Sequence, residues 1–277
     1  MMREQNVVSV QWLHQHLHHP DLVILDASMK PVGFSINTTT EVIPGALRMD
    51  IDQTFSQPDH ALPHTMPTPE QFEQLVREMG INNHSQVVIY DNVGVYSSPR
   101  AWWMFKTMGL EQVAVLNGGL PAWIEAGLPT IAEYAGNPFL SKFKVQFNAQ
   151  QLVNSQQVLA AIEQPETRII DARSAGRFDG KEAEPRAGLR CGHIPGSINI
   201  PFMLCVEKGE LHPVEKLQLL FDAANIRQDY RLIFSCGSGV TACIPLLAAC
   251  LCGYTQLALY DGSWAEWGAD PNLPMLP

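Results

Sequence analysis

The sequence lacks two features that mark membrane and exported proteins. It has no apolar run of roughly 20 residues, the length that spans a bilayer. The N-terminal residues, Met1 to Asn6, lead into no apolar signal core. We therefore expect no contact with a membrane and a cytoplasmic location.

A disulfide framework is also missing, because the six cysteines show neither a Cys-x-x-Cys pair nor a regular spacing. All of them lie in the second half of the chain: Cys191, Cys205, Cys236, Cys243, Cys250 and Cys252. Cysteines without a disulfide framework are typical of a reducing compartment, and we expect one for this protein. The histidines near the N-terminus lack a third ligand, so we expect no metal site.

Positive charge is scarce. The chain has 18 Lys and Arg residues against 28 Asp and Glu residues, which gives a formal net charge of −10. Such a chain is a poor nucleic-acid binder, because phosphate contacts need clustered positive charge. The second half does hold a local group of arginines: Arg168, Arg173, Arg177, Arg186 and Arg190. This group is either a solvated basic surface or a site for a small anion.

The chain contains an internal repeat with an offset of about 145 residues. Four segments of the first half match four of the second in the same order. The pairs are Leu25-Asp26-Ala27 with Ile170-Asp171-Ala172, Ile43-Pro44-Gly45 with Ile194-Pro195-Gly196, Val88-Ile89-Tyr90 with Ile233-Phe234-Ser235, and Asn117-Gly118-Gly119 with Asp261-Gly262-Ser263. The chain is therefore predicted to be two copies of one domain of about 130 residues.

Each copy alternates short apolar runs with helical patterns. Predicted strands are Leu22 to Leu25, Val87 to Tyr90, Val113 to Leu116, Arg168 to Ile170, Arg231 to Ser235 and Leu257 to Tyr260. Predicted helices are Pro69 to Met79, Ser98 to Met108, Val214 to Ala223 and Val240 to Leu251, with Thr68 and Ser97 as candidate caps. This alternation predicts an α/β fold with a mostly parallel sheet flanked by helices in each copy.

A linker is predicted between the copies. It begins with Gly136-Asn137-Pro138 and continues with a strand-like alternation of Phe143, Val145 and Phe147. We expect a first domain over residues 1–134, a linker over 135–150 and a second domain over 151–277.

The segment around Cys236 has the pattern of a reactive thiol. A predicted strand ends at Ser235, the turn Cys236-Gly237-Ser238-Gly239 follows, and an apolar helix begins after it. Main-chain N–H groups that converge in such a turn favour the thiolate, which is the nucleophilic form. The alternative is a buried structural cysteine, but glycines on both sides of Ser238 suit a loop whose amides converge.

The repeat places Asp91 at the position of Cys236 in the other copy. An aspartate cannot act as a thiol nucleophile, and its loop lacks the Gly-Ser-Gly spacing. We therefore expect the cysteine chemistry to be kept in the second copy, and the first copy to serve as a scaffold and as one wall of an interdomain cleft.

The doubled domain, its two Asp-Ala and Ile-Pro-Gly elements and the terminal Asp261-Gly262-Ser263 resemble the two-domain rhodanese-like sulfurtransferases. The similarity covers nearly the whole chain. The loop that follows Cys236, with Gly237 and Ser238 where the thiosulfate branch carries basic residues, resembles the 3-mercaptopyruvate sulfurtransferase branch. The segments from Asp171 to Phe178 and from Glu184 to Gly196 resemble it too.

This resemblance implies sulfur transfer from 3-mercaptopyruvate to a thiophilic acceptor through a Cys236 persulfide, with release of pyruvate and without a cofactor. Arg177 and Arg186 would hold the small anionic thiol substrate. Main-chain amides of Gly237, Ser238, Gly239, Val240 and Thr241 would stabilise negative charge. Asp52 and His60, from segments Asp50-Ile51-Asp52 and Asp59-His60-Ala61, would assist Ser238 in proton handling. The acceptor would be a thioredoxin-like dithiol or a small thiol.

Each of these residues also has a structural interpretation. Arg177 and Arg186 can pair with Asp179, Glu182 or Glu184. Ser238 can be a turn hydroxyl that bonds to local backbone, and Thr241 can be a helix-start residue alone.

Three other functions compete with this one. A cysteine phosphatase needs an arginine about six residues after the cysteine, where this chain has Ala242. A non-catalytic module of this type usually loses the cysteine, which is present here. Thiosulfate sulfurtransfer is the nearest rival, but a neutral Gly237-Ser238 loop offers little to a dianion.

Replacement of Cys236 by Ser is expected to abolish sulfur transfer, because a serine hydroxyl cannot form a persulfide. The fold should survive, so the circular dichroism spectrum should match that of the wild type. Residual turnover near the wild-type rate would contradict this prediction.

Overall fold

The computed structural model describes residues 5–31, 40–57, 60–136 and 139–277. Its contacts divide them into two compact units. The first unit contains the described residues before position 58, together with Met66–Asn148 and Lys208–Leu211. The second contains His60–Thr65, Ala149–Glu207 and His212–Pro277. Asp59, Asn137 and Pro138, which the sequence analysis mentions, lie outside the described residues.

The first unit is built on a parallel sheet of five strands. The strands are β1 (Val7–Val8), β2 (Leu22–Asp26), β3 (Ala46–Arg48), β4 (Gln86–Tyr90) and β5 (Val113–Leu116), in the order β1-β5-β4-β2-β3. The helices are α1 (Val10–His16), α2 (Pro69–Glu78), α3 (Ser98–Thr107) and α4 (Gly119–Glu125). Strand β4 lies at the centre and is almost entirely buried, as its continuous apolar run predicts.

The second unit repeats this architecture. Its sheet strands are β6 (Leu152–Val153), β7 (Thr167–Asp171), β8 (Ile198–Asn199), β11 (Arg231–Ser235) and β12 (Leu257–Tyr260), all parallel in the order β6-β12-β11-β7-β8. The helices are α5 (Ser155–Ala161), α6 (Ala175–Phe178), α7 (Val214–Ala223), α8 (Cys243–Leu251) and α9 (Ser263–Trp267). The remaining strands among the described residues, β9 (Val206–Glu207) and β10 (Glu210–Leu211), form a separate two-stranded sheet, and β10 falls in the segment counted with the first unit.

Both sheets have the same topology. Numbered within its own unit, each runs first–fifth–fourth–second–third. The predicted tandem α/β fold is thus confirmed, and the predicted strands agree with the observed ones to within a residue at each end. In both units the fourth strand is central, so the residue after it lies at the carboxyl edge, where ligands bind in parallel sheets.

One of the two predicted helix caps differs from the structure. The Ser97 hydroxyl does not cap α3. It donates instead to the carbonyl of Ala27 at 2.8 Å. Thr68 does cap α2, in a reciprocal arrangement with Gln71.

The predicted strand-like stretch after position 139 forms no strand. Its main chain bonds to side chains and turns of the first unit instead. The guanidinium of Arg77 donates to the carbonyl of Phe143 at 2.8 Å, and the N–H of Val145 donates to the carboxylate of Glu73 at 2.9 Å. Side-chain partners of this kind satisfy an extended backbone without a neighbouring strand, and sequence alternation does not reveal them.

None of the helices in the described ranges is both long and apolar enough to cross a bilayer.

The residue after β4, Asp91, organises the loop that follows it. One carboxylate oxygen accepts the N–H groups of Val93 and Gly94, each at 3.0 Å. The other accepts the N–H groups of Tyr96, Ser97 and Ser98 and the Ser98 hydroxyl, at 2.7 to 3.0 Å. Burial raises the pKa of Asp91, and the bonds it accepts act in the opposite direction. Five main-chain amides therefore converge on one anionic group in a turn of the sheet edge.

Replacement of Asp91 by Asn is expected to destabilise the first unit by about 3 kcal/mol or more. Either orientation of the amide turns its NH₂ group towards at least two main-chain N–H donors, which loses bonds and adds repulsion. Thermal and urea unfolding followed by tryptophan fluorescence would measure the loss. The exposed Asp21 provides a control, Asp21→Asn, whose stability should be unchanged. Equal melting temperatures for the two variants would refute the role given to Asp91.

Candidate active site

Cys236 follows the central strand β11 of the second unit and is only 2% exposed. Residues 237–242 form an open loop, and α8 begins at Cys243, three residues later than predicted. The N–H groups of Cys243 and Ile244 donate to the carbonyls of Val240 and Thr241, three residues back. Val240 and Thr241 therefore belong to the loop beside Cys236 and not to the body of the helix.

This loop has main-chain donors with no acceptor. Within the described part of the chain, the N–H groups of Ser238, Thr241 and Ala242 donate to no protein group. In the repeat, these three residues correspond to Val93, Tyr96 and Ser97, whose N–H groups bind the carboxylate of Asp91.

The two loops share a backbone feature as well. Gly94 and its counterpart Gly239 both have a positive φ, of 126° and 76°. We therefore interpret the N–H groups of Ser238, Thr241 and Ala242 as an anion-binding site next to the Cys236 sulfur, and call it the amide site.

Two guanidinium groups lie close to Gly237, the residue that follows Cys236. A β-carbon built on Gly237 would stand 3.0 Å from Nη2 of Arg177 and 3.8 Å from Nη1 of Arg186. Both arginines therefore lie against the backbone next to Cys236, and glycine at position 237 allows the close approach. The structure thus brings together the cysteine and both arginines that the sequence analysis singled out.

Arg177 also has the structural partner that was its alternative interpretation. Its Nε and Nη2 donate to the two carboxylate oxygens of Glu184, whose side chain is 2% exposed. One Glu184 oxygen also accepts from Nη1 of Arg173 at 2.8 Å. Since Glu184 binds one edge of the Arg177 guanidinium, Nη1 of Arg177 is the nitrogen this pairing does not use.

Arg173 connects this pair to the sheet. It is fully buried, donates to both carboxylate oxygens of Asp171 at the end of β7, and stacks 4.2 Å above the ring of Trp264. Burial lowers the pKa of Arg173, but Asp171 and Glu184 outweigh it and the net effect is a rise. A buried series of ion pairs from Asp171 through Arg173 to Glu184 thus fixes the orientation of the Arg177 guanidinium.

The remaining predicted residues are placed as follows. The Ser238 side chain is 8% exposed and, within the described residues, its hydroxyl bonds to no protein group, so it is not a turn hydroxyl satisfied by local backbone. Asp52 is exposed in a turn of the first unit, where its N–H donates to the carboxylate of Asp50. His60 is exposed, and its Nδ1 accepts the N–H of Leu62 at 3.1 Å. The parts of Asp52 and His60 in proton transfer stay predictions.

One contact of the site leaves no signal in the sequence. Nη2 of Arg186 lies 3.3 Å from Nε2 of His64. His64 belongs by its contacts to the second unit although it precedes α2 in the chain. Nothing in the sequence pattern links positions 64 and 186, because their separation of 122 residues is bridged only by the fold.

Two of the other thiols are in environments that disfavour the thiolate. Burial raises the pKa of Cys205 to about 12, with a further contribution from Cys252. It raises the pKa of Cys252 to about 11.

Comparison with known proteins agrees with this geometry. A family model for the rhodanese-like domain matches residues 9–126 and 154–270. The chain is 38% identical to the 3-mercaptopyruvate sulfurtransferase of Escherichia coli K12, over 98% of this chain and 97% of that protein. It is 37% identical to the human 3-mercaptopyruvate sulfurtransferase and 38% identical to the thiosulfate sulfurtransferase of Bos taurus, each over 94% of this chain and 91% of that protein.

Solved structures show the same likeness. The crystal structure of SseA from Escherichia coli, a 3-mercaptopyruvate sulfurtransferase described as having the rhodanese fold, superposes with a TM-score of 0.83 at 36% identity. The match covers 94% of this chain and 99% of that one. A sulfur transferase subunit of yeast mitochondrial complex I gives a TM-score of 0.87 at 33% identity and covers 98% of both chains.

The chain therefore belongs to the rhodanese family, as a protein with two rhodanese-like domains in tandem. Within that family it lies in the 3-mercaptopyruvate sulfurtransferase branch, as its loop sequence predicted.

Replacement of Glu184 by Gln is expected to raise KM for the sulfur donor about tenfold, because Arg177 loses the charge that orients it. The melting temperature should fall as well, since Arg173 is left with less compensation. Glu182→Gln is the matched control. Glu182 lies in the same segment, but its carboxylate binds the Ser174 hydroxyl. A lower melting temperature with an unchanged KM would show that Glu184 does not position Arg177.

Proposed function

We propose that the protein takes sulfur from 3-mercaptopyruvate onto Cys236, releases pyruvate and passes the sulfur to a thiophilic acceptor. One observation carries the proposal. Cys236 begins a loop that has unpartnered main-chain donors within the described residues and no charged side chain of its own, and the guanidinium groups of Arg177 and Arg186 lie against Gly237 in the same loop. The names of the relatives agree with it.

The donor has one carboxylate and one sulfur, and the site has a group for each. Arg177, with Nη1 not used by Glu184, and Arg186 bind the carboxylate in the fork geometry that guanidinium groups provide. The sulfur then faces Cys236. No cofactor is required, because the cysteine itself stores the transferred sulfur atom.

In the first half-reaction the Cys236 thiolate attacks the donor sulfur. A sulfur–sulfur bond forms, the carbon–sulfur bond of the donor breaks, and its electron pair passes to the enolate of pyruvate. The proton of the donor thiol moves to the enolate carbon, and Ser238 is the hydroxyl placed to relay it. Asp52 and His60 assist that transfer in this proposal.

In the second half-reaction an acceptor nucleophile attacks the outer sulfur of the persulfide. The sulfur–sulfur bond breaks and Cys236 leaves as the thiolate, which restores the starting state. Both states carry negative charge next to the amides of Ser238, Thr241 and Ala242. Loss of one such donor typically costs about 3–4 kcal/mol of barrier.

The acceptor we propose is a thioredoxin-like dithiol or a small thiol, and cyanide serves in an assay. The six free cysteines suit a reducing compartment such as the cytoplasm. We assign the cysteine chemistry to residues 151–277 and, apart from the assistance of Asp52 and His60, a scaffold role to residues 1–134, because Asp91 occupies the position of the cysteine in the first unit.

Thiosulfate sulfurtransfer is the second candidate, since the Bos taurus enzyme of that name is as similar as the mercaptopyruvate enzymes. Arg177 and Arg186 can also bind the SO₃ end of thiosulfate. The residues that follow Cys236, however, are Gly237 and Ser238, so no cation reaches the transferred sulfur from within the loop.

A direct comparison of donors tests this choice. Pyruvate release from 3-mercaptopyruvate and sulfite release from thiosulfate are measured with one cyanide acceptor. We expect kcat/KM to favour 3-mercaptopyruvate by at least about tenfold, which corresponds to about 1.4 kcal/mol. Cys236→Ser supplies the blank for both reactions. A higher kcat/KM for thiosulfate would favour the second candidate function, thiosulfate sulfurtransfer, over the first.

A further inference from the structure

A short segment at the start of α9 holds the peptide groups on both sides of Cys236. The hydroxyl of Ser263 accepts the N–H of Cys236 at 3.1 Å and donates to the carbonyl of Tyr260 at 2.9 Å. The N–H of Trp264 donates to the carbonyl of Cys236 at 3.0 Å, and that of Ala265 to the carbonyl of Gly237 at 2.9 Å. Three hydrogen bonds therefore fix the backbone that carries the sulfur, and none of them uses the sulfur.

Ser263 occupies a conformation that disfavours its residue type. Its φ is +49°, in the left-handed region where a β-carbon is unfavourable, and its side chain is fully buried. Glycine would adopt this φ without the penalty, and glycine is what the first unit has. Gly119 stands at the equivalent position with a φ of +53°. The presence of a serine at this unfavourable φ beside Cys236 indicates that its hydroxyl has a functional role.

The first unit lacks two of the three bonds. Gly119 has no hydroxyl, and Pro121, the counterpart of Ala265, has no N–H. Only the N–H of Leu120 remains, and it donates to the carbonyl of Asp91 at 3.0 Å.

A side chain would not fit at Gly119 either, because a β-carbon there would overlap the carbonyl oxygens of Asp91 and Gly94. The two loops thus pack differently against the residue that begins the helix.

The two units hold the same turn in opposite ways. In the first, the carboxylate of Asp91 binds the amides itself and so fixes the loop from within. In the second, the Cys236 sulfur must be free to gain and lose a sulfur atom, so it cannot serve as a permanent acceptor. The backbone is held from outside instead, by Ser263, Trp264 and Ala265.

We propose that Ser263 is a positioning residue for sulfur transfer, whose hydroxyl holds the Cys236 peptide so that the sulfur faces the amide site. This inference rests on the proposed function for its kinetic consequence. Without the hydroxyl, the peptide before Cys236 can rotate, and the sulfur is no longer centred on the N–H groups of Ser238, Thr241 and Ala242. Binding of the donor carboxylate by Arg177 and Arg186 is unaffected, so the loss falls on kcat.

Two variants separate this role from a merely structural one. Ser263→Ala removes the hydroxyl and keeps the unfavourable φ, whereas Ser263→Gly removes the hydroxyl and relieves it. We expect both to lower kcat for 3-mercaptopyruvate by a similar factor of about 10 to 100, with KM changed less than about twofold. Their melting temperatures should differ, with Ser263→Gly the more stable. If kcat instead follows stability, so that Ser263→Gly turns over like the wild type, the hydroxyl has no positioning role.

Ser197→Ala is the control, because the Ser197 hydroxyl donates to the carbonyl of Ile194 in a turn of the same unit. Its kcat should equal that of the wild type.

A second measurement does not depend on the donor. Alkylation by iodoacetamide, followed by mass spectrometry of the peptide that contains Cys236, reports how the sulfur is held. Both Ser263 variants should share one altered rate, distinct from that of the wild type and of Ser197→Ala. A wild-type rate in both would overturn the proposal. If the wild type does not turn over 3-mercaptopyruvate, the proposed function is wrong. The alkylation rates still show in that case whether Ser263 positions the Cys236 sulfur.

Discussion

The structure depends on one constraint: main-chain N–H groups that converge at the end of a central strand require a negative partner. A buried amide without an acceptor is costly, and several amides aimed at one point favour an anion there. The two units meet this requirement differently. The first supplies a carboxylate of its own, from Asp91. The second places a cysteine at the same position and leaves three amides without a protein acceptor among the described residues. In the proposed function these amides bind the sulfur anion and the charge that develops during its transfer.

Two arginines and a buried series of ion pairs behind one of them set the charge around that loop. Arg177 and Arg186 lie against Gly237, and in the proposed function they bind the carboxylate of the donor. Glu184 and Arg173 fix Arg177 from behind, through a buried chain that ends on the sheet at Asp171. Such a chain is a costly way to stabilise a fold, because each ion must be desolvated. Its value here is orientation, since a guanidinium held on one edge presents the other edge in a fixed direction.

Much of the fold could be predicted, because its signals are local or repeated. Apolar runs gave strands such as Arg231–Ser235, and matches at one offset gave the tandem units. Cys236, Arg177 and Arg186 could be named because their residue types are tied to the chemistry and the family motif. Contacts between residues far apart in the sequence could not be predicted. The use of Ser97 as a loop anchor, the late start of α8 and the pairing of Arg186 with His64 depend on tertiary neighbours. Ser263 did leave a trace, because the repeat aligns it with Gly119 and aligns Ala265 with Pro121, but its meaning appears only when φ and the bond to Cys236 are known.

The central claim is that the loop after β11 holds a sulfur anion on Cys236 that can accept and surrender one more sulfur atom. Mass spectrometry of the protein after exposure to 3-mercaptopyruvate, with no acceptor present, tests this most directly. The account predicts a gain of one sulfur atom on the peptide that contains Cys236, and its loss when cyanide is added. No gain in mass, or a gain located on Cys191, Cys205 or another thiol, would contradict it.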